Sequence, residues 1–435
     1  MKFDIFSDLT WRGVIHQTTD NALLPGWLNQ QPRTLYCGFD PTADSLHVGS
    51  LLPLMVLRRF QQSGHRPIAV VGGATGMIGD PSGKSEERQL LSVESLAANV
   101  RGLEQQMRVF LDFESRVSPA ILVNNFEWMR GFSYLEFLRD VGKNFPVNVM
   151  LAKDSVRNRL ERADSGLSYT EFSYMLLQAY DFVHLHDHYQ CELQIGGSDQ
   201  WGNITAGIDL ARRMRGVQLY GITCPLLLDS EGEKIGKTAK GTKVWLSAEK
   251  TSPYLFYQYW LNIQDADAGV CLRYLTELNR EEIEALDASR QQAPDQRHSQ
   301  RRLAEELTRL THGPHALAAA QRASEVFFGA EIAGLSDEQL LEIFPDVPNQ
   351  ALPRNAVAGD GLGLLDALVA AGLANSKGEA RRLVQQGGAY VNNRRMTDID
   401  KRLTSADLAS QSVMVLRSGK KKYALLQFTE ACDEF

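Results

Sequence analysis

Residues 33–40 read RTLYCGFD and run through PTADSLHVGS (41–50) into LLPLMVLRRFQQ (51–62). The first stretch has strand composition and ends on Gly38 and Asp40, and residues 46–62 form an almost wholly apolar helical run. Pro53 lies about one turn into that run, so a kink or a late helix start is expected. Working outward, PIAVV (67–71) ends in Gly72-Gly73, residues 120–123, 191–195 and 221–228 read as further strands, and residues 90–113 read as a helix. Strands alternating with helices predict an α/β fold with a parallel sheet covered on both faces.

From about residue 251 the pattern turns helical, with Leu303, Leu307 and Leu310 on one stripe and Arg301, Arg302 and Arg309 largely off it. Residues 331–358, rich in Pro, Gly, Asn and Asp, read as a linker. The tail is a separate basic module. Ser376-Lys-Gly-Glu379 opens a helix, Gly387 closes it, and a hairpin VMVLR-SGKKK-YALLQF follows. The implied division is a catalytic domain at 1–245, a helical domain at 246–330, the linker, and a small α+β module at 359–435. The large apolar residues of 128–150, within an insertion at about 125–160, predict a two-fold interface and a homodimer.

The five cysteines are scattered without a C-x-x-C pair, which argues against a disulfide framework and a zinc site and for a cytoplasmic location. No apolar run approaches the roughly 18 residues of a membrane span, and no membrane partner is expected. A net charge of −7 argues against indiscriminate nucleic-acid binding but leaves local basic surfaces open. His184, His186 and His188 alternate with no cysteine near, and no metal site is predicted from them.

Four clusters carry chemistry. His47-Val-Gly49-Ser50 opens a helix after a strand and loop, which suits phosphate oxygens, although the H-x-G spacing alone also fits a surface histidine. Lys234-Ile-Gly-Lys237-Thr238 puts two lysines three apart on a glycine-containing loop able to close over a polyphosphate, or else is a solvated turn. Gln194-Ile-Gly-Gly-Ser-Asp199-Gln200 sets uncharged hydrogen-bonding groups at a strand end, where ligand crevices form. Tyr174, Gln178 and Asp181, spaced by four and three, share a helix face, and Asp80 ends a glycine-rich loop.

In this order, CGFDPTADSLHVG, GGATGMIGDPSGK, LQIGGSDQWGN and KIGKT resemble the bacterial tyrosyl-tRNA synthetases over essentially the whole chain. HVGS and KIGKT stand for the family's H-I-G-H and K-M-S-K-S marks. The resemblance implies a Rossmann-like catalytic domain, an anticodon-side helical domain, a C-terminal RNA-binding module and a homodimer. It implies activation of L-tyrosine by ATP with Mg2+, without a tightly bound cofactor, and transfer to tRNA(Tyr). Matched residue by residue, it puts Tyr36, Asp80, Tyr174, Gln178, Asp181 and Gln200 on tyrosine. Gly38, Asp40, Gly49, Asp199 and Lys237 fall on ATP. Catalytic work falls to Thr42, His47, Ser50, Lys84, Arg88, Lys234, Lys237 and Thr238. Lys377, Arg381, Arg382, Arg394 and Arg395 are the expected RNA contacts. Ser50 replaces the family's second histidine. A tryptophanyl enzyme would not need the donor and acceptor that Tyr36 and Asp181 supply, because an indole N–H requires only an acceptor. A non-catalytic RNA-binding derivative would be marked by a ruined His47 or lysine pair, and all three residues are present.

Overall fold

The apolar stretches quoted above become neighbouring strands of one sheet. In the computed structural model the described residues are 4–82, 92–153, 156–157, 160, 167–238, 241–327, 332, 334–344, 347–419 and 422–429. They fall into two compact units, one within Met1–Ser252 and Tyr259–Thr311, the other within Pro253–Gln258 and His312–Phe435.

The first unit contains a six-stranded sheet in the order β1-β6-β5-β2-β3-β4. These strands are β1 (Gln17–Thr18), β2 (Thr34–Phe39), β3 (Arg66–Val71), β4 (Ile121–Asn124), β5 (Cys191–Gly197) and β6 (Tyr220–Cys224). All neighbours run parallel except β1, which is antiparallel to β6. From β2 the chain winds outward to β3 and β4, then returns to β5 on the other side. The strand order therefore reverses between β2 and β5, and ligands bind outside the carboxyl ends at such a point.

The apolar helix begins at Leu51 and runs to Gln62, after a one-turn 3-10 segment at Val48–Ser50. It starts later than residue 46 because Pro53 fits only in a first turn, where the missing N–H has no partner to lose. Its largely apolar character has a cause in packing: it lies against the sheet, the Val93–Phe110 helix and the Asp265–Leu275 helix. Arg59, 4% exposed, donates to the carbonyls of Arg273, Tyr274 and Thr276 at the end of the Asp265–Leu275 helix. Arg12 donates to the carbonyls of Arg273, Thr276 and Leu278. Two buried cations thus satisfy carbonyls that a helix end leaves over.

In the second unit a five-stranded sheet runs in the order β10-β9-β12-β13-β7. Its strands are β7 (Asn349–Pro353), β9 (Ala389–Val391), β10 (Arg394–Arg395), β12 (Val413–Ser418) and β13 (Lys422–Thr429), while β8 (Leu362–Gly363) pairs with β11 (Arg402–Leu403). Ser376 caps the Lys377–Gln385 helix, and Gly387, at φ 70°, follows its end. The stretch read as a linker carries regular structure: a helix at Asp337–Ile343 and β7, which pairs parallel to β13. Its Pro and Asn content marks an edge strand and its turns.

Candidate functional site

The reversal between β2 and β5 opens onto a cavity of about 300 Å³ at the carboxyl ends of both strands. Tyr36, Gly38 and Asp40 come to it from β2 and its end, and Gln194, Asp199 and Gln200 from β5 and its end. Ser168 caps the Tyr169–Tyr189 helix, which carries Tyr174, Gln178 and Asp181 to the same wall. Asp80 and Lys234 complete the predicted residues that line it.

The floor is a hydrogen-bonded network. Tyr174 Oη donates to Asp40 Oδ2 at 3.0 Å, and Thr75 Oγ1 donates to Asp40 Oδ1 at 2.8 Å. Asn125 Nδ2 donates both to Thr75 Oγ1 at 3.1 Å and to Asp181 Oδ2 at 3.0 Å. On the other side Gln178 Nε2 donates to Gln200 Oε1 at 3.3 Å, and Gln200 Nε2 donates to Asp80 Oδ2 at 2.7 Å. Three polar atoms on the cavity wall are buried without a hydrogen-bond partner among the described residues: Tyr36 Oη, Gln178 Oε1 and Gln194 Oε1. Leaving such groups unmade costs about 1–3 kcal/mol each, so their convergence on one cavity marks a site built for a polar ligand.

Burial dominates the titration of these groups. It pushes the Asp181 carboxyl up to about 7, against the hydrogen bonds from Asn125 and Trp128. Burial, then the neighbouring carboxylates, raise the Tyr36 and Tyr174 phenols well above their ordinary value. Both hydroxyls therefore keep their protons and can donate. Asp199 is raised by burial and by Asp80, with Lys234 opposing.

Apart from Lys234, the HVGS and KIGKT segments lie beyond this lining, and the Val244–Leu246 stretch pairs with both, Val244 N donating to Gly236 O at 2.9 Å. Val48 N donates to Val244 O at 3.0 Å, Leu246 N donates to Leu46 O at 2.9 Å, and His47 stands edge-on to Trp245. Gly49 N donates to His47 Nδ1 at 3.0 Å, which leaves the ring proton of the neutral imidazole on Nε2. A side chain on Gly49 would begin 2.7 Å from the His47 ring and would displace it. Thr42, His47, Gly49, Ser50, Lys237 and Thr238 do not line the cavity, and Thr42, Lys237 and Thr238 are exposed. Lys84 and Arg88 lie outside the described residues.

Thr75, Asn125 and Trp128 were not singled out by sequence as site residues, whereas Gln194 stood in the cluster read as a ligand crevice. Asn125 sits just past the end of β4, the same kind of signal that pointed to Asp199 and Gln200. Trp128 has no comparable local signal. In the second unit Lys377, Arg381, Arg382, Arg394 and Arg395 are all exposed, with Lys377 paired to Asp366 at 2.5 Å.

Comparison with known proteins brings these observations together. The profile of tRNA synthetases class I (W and Y) matches residues 28–329, and that of the tyrosine–tRNA ligase SYY-like C-terminal domain matches residues 339–426. A tyrosine–tRNA ligase of Rhodopirellula baltica is 58% identical over 98% of this chain and 97% of its own length. That of Bacillus caldotenax is 49% identical over 98% of this chain and its full length. A C-terminally truncated mitochondrial tyrosyl-tRNA synthetase of Aspergillus nidulans superposes with a TM-score of 0.67 at 30% identity, covering 75% of this chain and 94% of that one.

Proposed function

The chain belongs to the class I tRNA synthetases of the tryptophan and tyrosine type and is an ATP-dependent tyrosine–tRNA ligase; from that premise we propose that the sheet-end cavity binds tyrosine and that the HVGS and KIGKT segments handle ATP. The observation that carries this reading is the set of unpaired buried atoms around a cavity of about 300 Å³. Tyr36 and Asp181 offer a donor and an acceptor to a phenol hydroxyl. Asp80, Tyr174, Gln178 and Gln200 surround the α-amino end. Gly38, Asp40, Gly49 and Asp199 serve the nucleotide.

The nucleophile is the tyrosine carboxylate, ionised at neutral pH, so no general base is required. One carboxylate oxygen forms a bond to the α-phosphorus of ATP as the bond from that phosphorus to the bridging oxygen breaks, and pyrophosphate leaves with its electron pair. A terminal hydroxyl of tRNA then attacks the acyl carbon and AMP departs. Charge grows on the phosphates, so the residues needed are positioned cations and N–H or O–H donors. His47 through Nε2–H, Thr42, Ser50, Lys84, Arg88, Lys234, Lys237 and Thr238 fill that role. Mg2+ arrives with ATP as part of the substrate.

The division of labour is catalytic for 1–245, anticodon-side for 246–330 and RNA-binding for the tail. The tail module takes in Asp337 as well, since that carboxylate accepts from Ser410 Oγ and from Ser412 N and Oγ. Exposed Tyr134, Leu135, Val147 and Tyr169 support a homodimer formed through the 125–160 region. Among the described residues no helix is long and apolar enough to cross a membrane, and a cytoplasmic enzyme is proposed. Tyrosine-dependent ATP–pyrophosphate exchange, with tryptophan as the competing substrate, tests the whole reading. Exchange that follows tryptophan, or none with tyrosine, would overturn it.

A further inference from the structure

The lysine loop is fastened at two points by helices that follow it in sequence. Gly236 lies between Lys234 and Lys237 at φ 126°, a conformation that a side chain would strain. Its carbonyl accepts from Val244 N at 2.9 Å, and its N–H donates to Tyr259 Oη at 2.8 Å. Lower in the loop, Ser230 N donates to Asp267 Oδ1 at 2.8 Å. Tyr259 belongs to the Pro253–Leu261 helix and Asp267 to the Asp265–Leu275 helix, whose far end is gripped by Arg59. The Tyr259 ring stands edge-on to Trp260 at 5.1 Å, so its place does not depend on its hydroxyl. Burial pushes the Tyr259 phenol up to about 12, which keeps the hydroxyl neutral at working pH. Gly236 in turn rests against the nucleotide-side turn: a side chain there would begin 3.5 Å from Gly49 N.

We propose that Tyr259 is a positioning residue for tyrosine activation, its hydroxyl holding the Gly236 amide and with it the lysine loop against the His47–Gly49 turn. The proposal rests on the reading that Lys234 and Lys237 act on the leaving pyrophosphate. Holding the loop in the folded state removes an ordering cost that the transition state would otherwise bear. Lys234 borders the tyrosine cavity, but Gly236, Lys237 and Tyr259 do not line it, so loss of the Tyr259 hydroxyl should leave tyrosine binding nearly unchanged.

Tyr259→Phe keeps the ring and removes only the acceptor. The kcat of tyrosine-dependent ATP–pyrophosphate exchange should fall about two- to tenfold, the range of one neutral hydrogen bond. The KM for tyrosine should stay within about twofold. A double-mutant cycle supplies the readout that a merely structural role would not move. In a Lys237→Ala background the same Tyr259→Phe change should cost less than about twofold, because the group it positions is gone. An unchanged kcat in the single variant would overturn the proposal. So would an equal loss with and without Lys237, or a loss confined to tyrosine affinity. Absence of exchange in the unaltered protein would instead overturn the functional reading beneath it.

Discussion

Trp128 donates its indole N–H to Oδ1 of Asp181 at 2.9 Å, while Asn125 donates to Oδ2 of the same carboxylate at 3.0 Å. The carboxylate is held from two sides and cannot swing, yet each oxygen retains a lone pair for a further donor. Tyr36 Oη, 1% exposed as a residue, waits unpaired on the same wall.

This arrangement predicts how tyrosine is told from phenylalanine. A site built around a hydroxyl leaves its own buried groups unpaired when the hydroxyl is missing, an asymmetry for which tyrosine–tRNA ligases are themselves the standard example. Each unpaired group costs about 1–3 kcal/mol, or roughly 5- to 150-fold. Tyr36→Phe and Asp181→Ala should each lower the ratio of kcat/KM for tyrosine over phenylalanine by a factor in that range. If both variants keep the ratio, the phenol contacts lie elsewhere.

Asp181 also predicts a pH dependence. Its carboxyl is raised from 3.8 to about 7, so the folded protein holds this proton more tightly than the unfolded chain. Its contribution to stability is therefore fully present below the unfolded value and lost as pH rises through about 7. Every tenfold gain in proton affinity on folding corresponds to about 1.4 kcal/mol. Asp181→Asn should flatten the fall in Tm between about pH 4 and pH 7. Tyrosine binding should move the other way, because a phenol donor prefers the ionised carboxylate, and KM should climb as pH drops below about 7. Parallel Tm profiles in the two proteins would refute this account.

Strands β2, β3 and β4 were legible because each is a short apolar run followed by glycine or a polar residue, as β2 (Thr34–Phe39) is by Asp40, whereas β1 (Gln17–Thr18) has no apolar run and was not read. The shared face of Tyr174, Gln178 and Asp181 followed from helical spacing alone. What holds Asp181 was not legible. Asn125 and Trp128 precede it by 56 and 53 residues, and no local period links them. Tyr259 was missed for the same reason, since its partner is a backbone N–H 23 residues away. The edge strand β7 was hidden because its composition matches a linker and its pairing partner, β13, lies near the other end of the module.

Assembly gives a third prediction. Leu135 is 75% exposed, Tyr134 63%, Tyr169 61% and Val147 59%, a concentration of apolar surface that a lone subunit would leave in water. The unaltered protein should run as a dimer in light scattering at micromolar concentration, and Leu135→Asp should shift it toward monomer. An active monomer of the unaltered chain at that concentration would remove the interface.

The tail gives a fourth. Because Asp337 and β7 are bonded into the module, a cut before Ser336 separates it more cleanly than one after Gly359, which would leave β7 on the shortened protein without β13. The shortened protein should retain ATP–pyrophosphate exchange and lose tRNA charging. The lost binding should be salt-sensitive, since exposed Lys377, Arg381, Arg382, Arg394 and Arg395 would exchange counterions for phosphates. Normal charging at both low and moderate salt would give the module another task.

Ser50 supplies the fifth. It takes the place of the second histidine in the H-I-G-H pattern that HVGS resembles, at the N-cap position of the Leu51–Gln62 helix. A capping serine would have extended backbone and an oxygen accepting from the first turn, and its loss would cost about 1 kcal/mol of stability. Ser50 has neither feature: its φ and ψ are −84° and −10°, and its side chain makes no cap hydrogen bond. The turn before it is capped instead by His47, whose Nδ1 accepts from Gly49 N. The hydroxyl is thus not committed to the helix and can donate to a phosphate oxygen of ATP. One neutral hydrogen bond contributes about 0.5–1.5 kcal/mol, or about two- to tenfold in rate. Ser50→Ala should slow single-turnover adenylate formation by that factor and leave Tm nearly unchanged, while His47→Ala costs more. A fall in Tm with an unaltered single-turnover rate would make Ser50 a helix-start residue after all and leave His47 as the segment's phosphate donor.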